Sequence, residues 1–82
     1  MKIWIRSQGG NWLVLASEFY IKTKDGKDGI SDVLTMDNQQ QLATYSTYKK
    51  ALKVLDMIKN HIQSRVNEDM VFQMPQDEEV KL

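Results

Sequence analysis

Cysteine is absent from these 82 residues, which excludes a disulfide framework and any thiolate metal site. Histidine occurs once, at His61, and no Ser, Cys or paired carboxylate lies at a spacing that would aim at it. It reads as a structurally satisfied side chain at the edge of an apolar arc rather than as a general base. No apolar run approaches the roughly 18 residues that a bilayer span needs. Met1-Lys2 leads straight into strand-like sequence with no signal-peptide pattern, so the expected location is cytoplasmic and no membrane partner is expected. No nucleotide-binding motif is present. Asp77, Glu78 and Glu79 are adjacent carboxylates near the end of the chain, where water would screen them and no pocket would shift their pKa values. An enzyme is therefore not expected, and neither is a cofactor.

Net charge is also lacking, because 11 Lys and Arg balance 11 Asp and Glu. The balance is uneven along the chain. Between Ser46 and Val66 the cations Lys49, Lys50, Lys53, Lys59 and Arg65 face Asp56 alone. From Asn67 onward Glu68, Asp69, Asp77, Glu78 and Glu79 face Lys81 alone. A basic segment is thus followed directly by an acidic one.

What the sequence does hold is one strongly amphipathic stretch, Ser46 to Val66. At 100° per residue Ala51, Leu55, Ile58 and Ile62 share a narrow arc, with Tyr48 and Val66 extending it and Val54 and Leu52 widening it. Lys49, Lys53, Asp56, Asn60 and Gln63 take the opposite side. That stripe suits the face of a sheet better than a coiled-coil seam. Ser46 or Thr47 is the expected N-cap, without a reciprocal capping box, and Asn67 is the expected stop.

Strands are expected on either side of this helix. Lys2 to Arg6 puts Ile3 and Ile5 on one face and Trp4 on the other; Gln8-Gly9-Gly10-Asn11 turns the chain. Trp12 to Ala16 is apolar on both faces, which suggests an interior strand. Ser17-Glu18 marks a bend before Phe19 to Thr23. Lys24 to Gly29 contains two Asp-Gly steps and reads as an exposed hairpin connection. It is no calcium loop, because Gly26 and Lys24 stand where acidic ligands would be needed. Asp32 to Met36 and Gln41 to Tyr45 follow, with Leu42 facing opposite to Ala43 and Tyr45. Met70 to Met74 is a short closing strand or extended segment that Pro75 ends.

The predicted fold is a single small α+β domain over residues 1–75, a mainly antiparallel twisted sheet packed on one amphipathic helix. Residues 76–82 are predicted to be an acidic mobile tail. At full extension, Asp77, Glu78 and Glu79 would just reach back to Lys49, Lys50 and Lys53, forming loose, screened ion pairs.

Several segments together resemble a known group: the opening Lys-Ile-Trp-Ile-Arg-Ser-Gln, Thr44-Tyr45-Ser46-Thr47, the run from Ala51 to Ile58, and the closing Val71-Phe72-Gln73-Met74-Pro75. The chain resembles a family of small uncharacterised proteins from phages and prophages of Gram-positive bacteria. The resemblance implies origin and size, and no catalytic or binding residue comes with it.

Two kinds of function remain in view. The first is a non-enzymatic accessory protein acting as a protein-interaction or self-associating module, with an unidentified protein or a second copy as partner. Trp12 and Val14 are candidate surface residues, since one helix can cover only one face of a sheet. The alternative is a nucleic-acid-associated protein. Lys49, Lys50 and Lys53 crowd the helix start against the macrodipole, and Trp4, Trp12, Tyr20 or Tyr45 could stack on bases. Zero net charge and a simple solvated helix face weigh against it.

Overall fold

The computed structural model describes residues 2–24, 29–63 and 71–82. The chain forms strands β1 (Ile3–Arg6), β2 (Leu13–Ala16), β3 (Phe19–Thr23), β4 (Ser31–Thr35) and β5 (Gln41–Tyr45), then helix α1 (Tyr48–Gln63), strand β6 (Phe72–Gln73) and a 3-10 turn at Asp77–Glu79. The architecture is α+β, as predicted, but the strands divide into two sheets of three, ordered β2-β1-β6 and β3-β4-β5. All pairings are antiparallel except β1 with β6, which is parallel. Expected boundaries within residues 25–28 and 64–70, including the Asn67 stop, lie outside the described residues.

Local chemistry accounts for most elements. The double glycine closes the β1–β2 hairpin, with Gly10 at φ 80°, a value glycine adopts at no steric cost. Thr47 is the helix N-cap, its Oγ1 accepting from Lys50 N at 3.2 Å. Alternation in β1 buries Ile3 and Ile5 and exposes Trp4 and Arg6.

Helix α1 lies against β3, β4 and β5. Its buried residues are Ala51, Val54 and Ile58, while Leu55 and Ile62 pack half-buried at the margin. The stripe is thus turned toward Val54 and away from Leu55 within the predicted arc of Ala51, Leu55, Ile58 and Ile62. It meets Val33, Ala43 and Tyr45 in one core, which Ile3, Ile5, Leu42, Met74 and Val80 complete.

Three expectations are corrected. First, β2 is an outer strand, not an interior one; β4, flanked on both sides, is the strand buried at every residue. Apolar residues on both faces of a strand signal interior position only if other elements supply the cover. Second, Leu42 does not face away from Ala43 and Tyr45. The register between β4 and β5 shifts between Val33 and Leu34, pairing Val33 with Ala43 but Leu34 with Gln41. The extra residue is Leu42, and a bulge breaks the two-residue alternation so that both Leu42 and Ala43 are buried. Third, residues 76–80 do not hang free as a mobile tail. Val80 is only 4% exposed and belongs to the core, and Asp77 of the 3-10 turn is held against the helix start by Ser46 and Lys50. Burying one aliphatic side chain is worth about 1.5–3 kcal/mol, more than the screened ion pairs expected to tether a tail.

Candidate functional site

Each region with functional potential has a polar network around it, and the networks say what each region has left to offer. Gln8, at the end of the β1–β2 hairpin, is the centre of one. Its N–H donates to Leu42 O at 2.8 Å and its Oε1 accepts from Thr44 N at 3.1 Å, so one residue caps the free edge of β5. Its Nε2 donates to Pro75 O at 3.2 Å, and its carbonyl accepts from Gln76 Nε2 at 2.7 Å. Met74 N donates to Arg6 O at 3.0 Å and Gln73 Nε2 to Ser7 O at 3.2 Å, extending the seam. The hairpin, β5 and the C-terminal segment are stitched together here.

Beside this seam an open groove of about 320 Å³ is lined by Ser7, Gln8, Asn11, Trp12, Gln41 and Thr44 among others. Several of its polar groups are already committed. Ser7 Oγ donates to Asn11 Oδ1 at 3.4 Å and accepts from Trp12 N at 3.2 Å, and Thr44 Oγ1 donates to the buried Asp32 carboxylate at 2.8 Å. Asp32 also receives Lys24 Nζ at 3.4 Å. Among the described residues, Gln40 Nε2 is the buried side-chain nitrogen without a partner, and it is not part of the groove lining. Satisfied groups exert little pull on a ligand, so the groove reads as the outside of a structural seam.

The basic helix start is the second region. The first turn of α1 contains no acidic residue, so nothing in the helix itself complements its positive end. Asp77 supplies that complement from the other end of the chain. Its Oδ1 accepts from Ser46 N at 2.8 Å and its Oδ2 lies 3.4 Å from Lys50 Nζ, which also donates to Asp77 O at 3.0 Å. The Ser46 amide chiefly, with Lys50 adding to it, holds the Asp77 carboxyl below its usual range despite the opposing effect of burial. Lys53 Nζ donates to Lys81 O. Of the three lysines singled out from the sequence, Lys49 is exposed, while Lys50 and Lys53 are occupied by the C-terminal segment. Tyr45, fully buried beneath them, donates its hydroxyl to Pro75 O at 2.8 Å. Burial chiefly, with the nearby Asp77 and Glu79 carboxylates, raises its pKa and keeps it neutral.

His61 is half-buried, its ring meeting Phe72 edge-on at 5.3 Å between centroids and 67° between planes. That contact joins the helix to β6. No group of three or more His, Asp or Glu placed to hold a metal occurs among the described residues.

The third region is apolar. Trp4 pairs with Leu15 across β1 and β2, and Arg6 with Leu13, so all four side chains share the outer face of the small sheet. The parallel register pairs Ile5 with Phe72, which puts Val71 beside Trp4 on the same face. Trp4 and Leu15 are 45% exposed, Leu13 50% and Val71 43%; Trp12, at the strand's entry, is 54% exposed. Of the two apolar candidates named from the sequence, Trp12 is on the surface. Val14 is half-buried, pairs with Ile5 and packs on the core. Leu13 and Leu15 belong to the stretch from Trp12 that the sequence shows as apolar on both faces, whereas Trp4 is the member of this patch that sequence reasoning missed. Their period of two was legible, but which face lacked cover was not. No helix among the described residues is long and apolar enough to cross a membrane.

Comparison with protein-family models, curated proteins and solved structures gives no match.

Proposed function

We propose that the chain is a non-enzymatic accessory protein, of the phage or prophage kind its sequence resembles, that works as a protein-interaction or self-associating module. One observation carries this reading. The row Val71–Trp4–Leu15, with Leu13 beside it, forms an apolar surface that none of the described residues covers, on a sheet whose opposite face is core. Contiguous exposed apolar surface on a small domain marks a partner site, and tryptophan is the residue type most often dominant in one. Several polar groups of the groove and two of the three lysines are already engaged within the chain. The alternative, nucleic-acid association through Lys49, Lys50 and Lys53, is disfavoured because Asp77 and Lys81 O engage two of the three cations.

The test is affinity capture from source-cell lysate, with the wild-type chain and a Trp4→Gln/Leu15→Gln variant compared side by side. A protein species held by the wild type and lost by the variant, at matched melting temperature, is the expected result. Equal retention by both would sink the reading.

A further inference from the structure

We infer that the partner of this surface is a second copy of the same chain, joined through the free edge of β2 in an antiparallel, two-fold arrangement centred on Val14. This rests on the apolar-patch reading above and adds the mode of pairing. The first ground is the direction of the backbone. Ser7 N donates to Trp12 O at 2.9 Å, so with two-residue alternation Val14 and Ala16 bond toward β1. Met74 N donates to Arg6 O at 3.0 Å, so Arg6 and Trp4 turn toward β6. Leu13 and Leu15 lie opposite Arg6 and Trp4. Their N–H and C=O groups therefore point outward, away from β1, on the side where β2 ends its sheet and has no neighbouring strand among the described residues.

Each copy of β2 thus offers two unpaired donors and two unpaired acceptors along one edge. Setting Leu13 opposite Leu15 of a second copy, with Val14 on the axis, pairs all of them in four hydrogen bonds.

The second ground is elimination among the edges. β5 is capped by Gln8, β3 carries the exposed Lys22 near its end, and β6 is only two residues long. β2 reads Leu-Val-Leu-Ala, with no charge, proline or bulge to guard it against strand addition. The third ground is side-chain continuity. In this register Leu13 of one copy meets Leu15 of the other on the outer face, flanked by both copies of Trp4. Zero net charge adds no long-range repulsion between copies. The exposed parts of Trp4, Trp12, Leu13 and Leu15 amount to roughly 400 Å² per copy, about half of a standard interface, so the dimer is weak and concentration-dependent.

Amide hydrogen exchange of the wild-type chain, read by NMR at about 20 μM and about 1 mM beside sedimentation equilibrium, tests this directly. The expected result is a mass rising from 9.6 kDa toward twice that value, with exchange at Leu13 and Leu15 slowing about tenfold and Val14 and Ala16 unchanged. Leu15→Lys should stay monomeric at both concentrations, and so should Leu13→Pro, which removes an outward N–H that the chain's own ladder does not use. A monomer at the higher concentration overturns self-pairing. A dimer whose Leu13 and Leu15 amides still exchange fast overturns the edge mode but leaves the apolar-patch reading standing.

Discussion

The two sheets are built from similar material and end in different situations. In β3-β4-β5 the middle strand is buried along its whole length, with α1 on one face and the Lys24–Asp32–Thr44 network on the other. In β2-β1-β6 the inner face joins the same core, while the outer face keeps Trp4, Leu13 and Leu15 in water. Hydrophobic content does not separate them. Cover does, and one helix of 16 residues can cover one sheet. The comparison teaches that stability is concentrated where the helix sits and that binding capacity is left where it does not.

The sharpest way to break the comparison is a pair of truncations on one helix. Ile58→Ala removes a fully buried side chain and should cost about 2–5 kcal/mol, a large share of the stability of so small a domain. Leu52→Ala, on the exposed side, should change it by less than about 0.5 kcal/mol. Urea melts of both variants check this, and equal losses would mean that α1 docks on a different face.

The C-terminal segment gives the next effect. Deleting residues 76–82 removes Val80 from the core and Asp77 from Ser46 and Lys50, and should cost about 2–3 kcal/mol by the same melts. A loss below about 1 kcal/mol would return this segment to the status of a loosely held tail.

The smallest effect is a pH dependence. Asp77 titrates lower in the folded chain than its ordinary 3.8, so its contribution is present above that value and is lost as pH falls through and below it. The pair is partly exposed, and the contribution should stay below about 1 kcal/mol. Comparing wild type with Asp77→Asn by thermal melting, the wild-type advantage at pH 7 should shrink below about pH 4. An advantage that persisted at pH 2 would place the stabilisation elsewhere.

Much of the fold was legible in order. The strands Ile3–Arg6, Phe19–Thr23 and Gln41–Tyr45, the glycine turn and the amphipathic helix all follow from periods of two and 3.6 and from residues suited to turns and caps. These are local properties, set by side chains a few positions apart. The choice between Ser46 and Thr47 as cap needed the hydrogen bond itself, and the turn of the helix stripe toward Val54 needed the sheet it packs on.

The sequence by itself determined an α+β chain with one amphipathic helix and a basic stretch followed by an acidic one. Tertiary structure alone decided the rest. The β4–β5 bulge turned Leu42 inward, because register depends on a partner strand and not on the strand's own pattern. The position of β2 at the edge left Leu13 and Leu15 exposed, because burial depends on what is available to cover a face. Asp77 reached Ser46 and Lys50 because Met74 and Val80 were buried on either side of it. Two apolar anchors fix a segment more firmly than exposed charges can, and that fixed the acidic end beside the helix start.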